Sequence, residues 1–150
     1  DFTYSDLHGL SLSDIEMNLS DFGMANLTGV RLTQAIVKES DFTSATLTDS
    51  VLDFSNLYQS NFTGATLTGV SLYGTSIDGV NFTDANLERA QMGGASFYES
   101  YPIVTGARFK NAVLCPGMLL EGAVLGMADN SPPPDIRCIR LADAWLPVPE

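Results

Sequence analysis

Between Ser20 and Ser40 the chain reads SDFGMANLTGVRLTQAIVKES, and Phe22, Leu27, Leu32 and Val37 stand five residues apart. The spacing extends from Phe2 to Phe97, where twenty successive fifth positions are all large and apolar. A self-similar period outranks local propensity because it fixes the architecture. Five matches neither the 3.6-residue helix nor the two-residue strand, and a helix would scatter these side chains around its surface. They gather on one axis if the chain turns a corner at every fifth residue and points the middle of each segment inward.

A second period counts the sides. Phe2, Phe22, Phe42, Phe62 and Phe82 recur at every fourth repeat, so twenty residues complete one coil and the phenylalanines form a core stack. The Leu7 to Leu87 column, the Leu12 to Met92 column and the more variable column of Met17, Val37, Leu57, Ile77 and Phe97 supply the other sides. Two residues before each centre from Leu7 onward lies a second inward position, and seventeen of its nineteen occupants are Ala, Ser, Thr or Val. A square interior packed near crystal density has no room for two large side chains per edge. Leu10 and Ile15 are the exceptions, which calls for a wider interior or a plugged end in the first coil. The expected fold is an all-β solenoid, a quadrilateral β-helix of about six coils.

The units Ala25-Asn26-Leu27-Thr28-Gly29, Ala45-Thr46-Leu47-Thr48-Asp49, Ala65-Thr66-Leu67-Thr68-Gly69 and Ala85-Asn86-Leu87-Glu88-Arg89 resemble the A(D/N)Lxx repeat of pentapeptide-repeat proteins. The resemblance covers about two thirds of the chain and implies a right-handed coil. It says little of function, because sites are grafted onto folds. Within that family the chain looks most like the lumenal and periplasmic members of cyanobacteria and chloroplasts, whose coil ends in a Cys-containing cap.

The β-helix is expected over residues 1–128, regular over 1–100, with register slips at 101–106 and 115–117. Proline in the first slip removes a ladder donor and calls for a bulged corner. Residues 129–150 read as a Pro-rich linker and a C-terminal cap. Ile136, Ile139, Ala142 and Trp145 fall at helical spacing behind a possible N-cap at Asp135, so a short helix is expected to cover the open end. Cys115 and Cys138 are the two cysteines. They read either as free thiols of a cytosolic protein or as a disulfide that staples the tail to the last coil, since compartment decides. A chain that begins at Asp1 in repeat register reads as a mature exported protein or as a piece excised from a longer one, and the bridge favours an extracytoplasmic setting, thylakoid lumen or periplasm, over the cytoplasm.

Net charge is −11, and Asp1 to Asp84 hold eleven acids against Arg31 and Lys38. Such a surface repels phosphate backbones and anionic lipid, so neither direct nucleic-acid binding nor membrane insertion is expected. Asp1, Asp21 and Asp41 head a column that continues as Asn61 and Asn81. Unit charges about 4.8 Å apart repel by roughly 0.9 kcal/mol in water. These groups read either as acceptors for backbone donors at the corners or as an acidic stripe for a cation or basic partner. Thr28, Thr48 and Thr68 form a ladder that suits a stacked sheet surface and, as a remote alternative, ice. The sequons around Asn18, Asn26, Asn61 and Asn81 are spelled by the repeat itself.

Phe54, Tyr58, Tyr73 and Tyr98 break the polar rule of the outer positions, and all four fall on two adjoining sides. Exposed aromatics on a rigid face are the usual anchors of protein contacts. They also read more plainly as rings lying flat over glycines and sheet. Catalysis is not expected: His8 is the only histidine, neither cysteine has metal-ligand spacing, and the carboxylates lie on convex faces. No cofactor is implied. The expected function is a non-catalytic structural or protein-interaction module with an unidentified protein partner; the alternative is a DNA mimic that binds or protects gyrase.

Overall fold

The computed structural model describes residues 1–114. The Cys115–Cys138 pair, the second register slip and the linker and helical cap lie outside the described residues.

Each five-residue unit is an extended pair followed by a tight turn. From Asp6 to Ser76 the residue before each centre forms a parallel bridge with its counterpart twenty positions on, as in Asp6↔Asn26, Asp21↔Asp41, Val51↔Ser71 and Ser76↔Ser96. Three backbone bonds per unit tie neighbouring coils, as where Leu27 donates to Thr46, Gly29 to Thr48 and Thr46 to Ala25, at 2.7 to 2.9 Å. A fourth closes the corner: the Val30 N–H donates to the Leu27 carbonyl at 3.1 Å. Four of the five N–H groups in a regular unit are therefore satisfied by backbone carbonyls without a long strand.

The corner imposes positive φ on the second residue after each centre. Glycine supplies it at eight positions, but thirteen other residues adopt the same region, among them Met24, Phe54 and Arg89. Inter-coil bonding on both sides of the turn over-determines the conformation, which allows L-residues to hold it.

Four inward columns fill the coil. Phe2, Phe22, Phe42 and Phe62 stack with ring centroids 5.0, 4.7 and 4.5 Å apart and within 9° of parallel. Phe82 tilts by 30° at 5.5 Å. Its own column continues into Val104, where no further ring stands above it. Ala25, Ala45, Ala65 and Ala85 are buried beside the large residues, while Ser40 and Ser60 turn their hydroxyls onto the Met17 and Val37 carbonyls. In the first coil Phe2, Leu7, Leu12, Ile15 and Met17 are only partly buried and Leu10 is exposed. Among the described residues these side chains have a neighbouring coil on one face only.

The register slip falls earlier than 101–106. Ser76 bridges Ser96 twenty residues on, whereas Asn81 bridges Ile103, twenty-two on. The two extra residues thus enter between Ser96 and Ile103, and Thr105-Gly106 is already an ordinary corner. Pro102 sits where the corner N–H would otherwise donate, as Val80 does to Ile77 one coil earlier, so the closing bond of that corner is not made.

Candidate interaction face

In the column beside the Phe stack the residue before each centre caps its own turn. Asp21 Oδ1 accepts the Gly23 N–H at 2.8 Å, Asp41 Oδ1 that of Thr43 at 2.8 Å, and Asn61 and Asn81 serve Thr63 and Thr83 in the same way. Asp1 does so for Thr3. The column is also wired lengthwise in its upper part, where Asn81 donates to Thr63 and Asn61 to Thr43. Carboxylates carry no donor, so the run of side-chain bonds ends weakly, at the 3.4 Å contact of Asn61 with Asp41. Among the described residues no group of His, Cys, Asp and Glu is arranged to hold a metal ion. The described residues contain no helix long and apolar enough to cross a membrane.

The four aromatics divide into two pairs. Phe54 and Tyr73 share the side built on the Leu12 column, with rings edge to face at 5.6 Å. Phe54 lies over Gly74, where an added Cβ would come within 2.6 Å of its ring. Tyr73 covers Gly93 and Gly94. Both remain more than half exposed. The absence of a side chain at the glycines is what lets two large rings lie on the sheet in this way.

Tyr58 and Tyr98 share the next side, two coils apart in one outward column. The residue between them is Asp78, and Ser76 lies beside it, so the column dips to a groove of about 420 Å³. Lys38, Glu39 and Glu99 also line it. Asp78 is 6% exposed and its Oδ1 accepts the backbone N–H groups of Tyr98, Glu99 and Ser100 at 2.6, 2.7 and 3.3 Å. Burial pushes its carboxyl up, but those three donors, with the Ser76 hydroxyl, outweigh it and hold it below the ordinary 3.8. The carboxylate thereby pins the start of the inserted loop. Tyr98 is held by its backbone, leaving its side chain 87% exposed.

The sequence singles out the tyrosines but not Asp78, Lys38, Glu39 or Glu99. The available signal was the run of small side chains, Ser76 and Gly79, between Tyr58 and Tyr98. His8 is exposed at the first coil, its Nδ1 2.9 Å from Asp6. Hydrogen bonding to His8, with a minor contribution from Asn26, holds the Asp6 carboxyl below its ordinary value.

A twenty-residue parallel coil with cornered sides and stacked side-chain columns defines a β-helical solenoid. Eight copies of the pentapeptide repeat match over residues 25–64 and 65–101, and the chain belongs to the pentapeptide-repeat family. A pentapeptide repeat protein of the Arabidopsis thaliana thylakoid lumen superposes with a TM-score of 0.60 at 25% identity, covering 83% of this chain and 85% of its own. HetL, a pentapeptide repeat protein involved in heterocyst differentiation regulation in Nostoc sp. strain PCC 7120, superposes with a TM-score of 0.54 at 22% identity over 82% of this chain and 67% of its own. These relationships make the coil a right-handed β-helix. No curated protein sequence matches this chain.

Proposed function

We propose that this protein is a non-catalytic interaction module that binds a protein partner through two adjoining outer sides. The observation that carries this is the placement of exposed Phe54, Tyr73 and Tyr98 and half-buried Tyr58 on those sides, seated over glycines or beside a groove; the apolar side chains exposed elsewhere, such as Tyr4, Met24 and Ile103, stand on the Phe side. Exposed aromatics on a rigid scaffold lose little freedom on binding, which is why they act as anchors.

We assign the module to an extracytoplasmic compartment, supported by its likeness to the thylakoid-lumen protein; the assignment carries with it a proposed Cys115–Cys138 disulfide, which mass spectrometry before and after reduction tests. A solenoid of about six coils with a helical cap over residues 135–146 completes the proposed architecture. The net charge of −11 argues against direct nucleic-acid contact.

The test is partner capture from the source organism's periplasm or lumen with the wild-type chain and a Tyr58→Ala/Tyr73→Ala double variant. The double variant is expected to lose the specific partner while keeping its β-sheet circular dichroism. Retention of every partner overturns the assignment of the face. The DNA-mimic alternative is separated by a gyrase supercoiling assay with excess protein, where the interaction-module reading predicts unchanged activity.

A further inference from the structure

We propose that the groove between Tyr58 and Tyr98 is an arginine pocket, taking one guanidinium from a basic, extended segment of the partner protein. The inference rests on the interaction-module reading and names the chemistry of its partner. Two coils separate the tyrosines, about 9.6 Å at roughly 4.8 Å per coil. A planar cation laid on either ring fits that interval, and aromatic faces attract it. Glu39 and Glu99 flank the groove, and neither belongs to the His8–Asp6 or the Arg108–Glu88 ion pair.

Asp78 does not compete for the ligand through Oδ1, because that oxygen is engaged by three backbone donors. Its role is to hold Tyr98 and Glu99 at the rim. A guanidinium suits this site better than an ammonium, because it stacks on a ring and offers a carboxylate two parallel donors at once. Lys38 sits at the opposite end of the groove, three coils from Glu99 in the adjoining column. It repels a second cation there, so the segment carries its arginine toward Glu99 and a neutral or acidic residue toward Lys38.

The experiment is a chemical-shift titration of the full ¹⁵N-labelled chain with acetyl-Gly-Ser-Arg-Ser-Gly-amide and its citrulline counterpart. The arginine peptide is expected to shift the amides of Tyr58, Ser76 and Glu99, and citrulline to bind about tenfold more weakly through loss of the charge. Tyr98→Ala and Glu99→Gln are each expected to weaken the arginine peptide about five-fold. Lys38→Glu is expected to tighten it. Equal binding of citrulline, or shifts spread along the Asp21 and Asp41 column and indifferent to Tyr98→Ala, overturns the pocket. Partner capture separates this from the broader reading. A Tyr98→Ala/Glu99→Gln variant that keeps a partner lost by Phe54→Ala/Tyr73→Ala removes the pocket alone, and retention by both variants removes the module reading.

Discussion

The backbone N–H of Tyr98 donates to Asp78 Oδ1 at 2.6 Å across twenty residues, and this bond fixes where the coil departs from its regular register. Asp78 stands in an outward column whose other members are Asn18, Lys38, Tyr58 and Tyr98. A buried carboxylate there serves the inserted loop by accepting from its three amides.

Removing that acceptor strands buried donors, so Asp78→Ala is expected to cost about 1 to 3 kcal/mol. Because the folded carboxyl lies below its ordinary 3.8, the contribution is present above that pH and is lost as pH falls through the folded-state value. Amide exchange at Tyr98 to Ser100 reads it directly: protection is expected to hold from neutral pH down to the ordinary 3.8 and to be lost only below it. Asp78→Asn is expected to remove that acid-dependent step.

Phe42 is fully buried between two parallel rings, at 4.7 and 4.5 Å. Phe42→Ala leaves a cavity that neighbouring coils cannot close without breaking their bridges, and the expected loss is about 3 to 5 kcal/mol in urea unfolding. Phe2→Ala, at a partly buried ring, is expected to cost less than half as much.

Gly29 and Gly74 share positive φ but not surroundings. An added Cβ meets nothing within 4 Å at Gly29 and runs into the Phe54 ring at Gly74. Gly29→Ala therefore bears only the conformational cost, about 1 kcal/mol. Gly74→Ala is expected to cost a similar amount and also to lift Phe54 off the sheet, which near-ultraviolet circular dichroism of the Phe54–Tyr73 pair detects.

Asp41 adds a negative charge to a column where Asn61 supplies a donor instead. Asp41→Asn keeps the cap on Thr43 and relieves repulsion with Asp21, so it is expected to stabilise by about 0.5 to 1 kcal/mol at low salt and by less at 1 M salt. Asn61→Asp breaks the bond to Thr43 and is expected to destabilise by about 1 kcal/mol. Urea midpoints at the two salt concentrations check both.

Much of the coil is legible because its geometry repeats. Every centre from Phe22 to Met92 obeys one rule of size and spacing, and the small residues two places earlier, such as Ala45 and Ala65, report the narrow interior. The corners are less legible. Glycine at positions 64, 69 and 74 signals positive φ, yet Leu19, Met24 and Gln59 adopt it with no such signal, because hydrogen bonding between coils overrides the preference of the single residue. The site is legible only in its rings. Tyr58 and Tyr98 stand out as apolar breaks in a polar pattern, but the groove arises from what lies between them in space. Asp78 reads as one more surface acid until the loop that folds over it is seen. The displaced register slip has the same origin: Pro102 marks irregular backbone, but the bridge from Asn81 to Ile103 shows that the register recovers immediately after it.

The most direct test of the account is a photo-crosslinking scan, with benzoylphenylalanine placed in turn at outward positions 28, 48, 54, 58, 73 and 98 of the full chain and exposed to extract of the source compartment. Partner adducts are expected at 54, 58, 73 and 98, on the two aromatic sides, and at neither 28 nor 48. Adducts concentrated at 28 and 48, with none at 58 or 98, would contradict it.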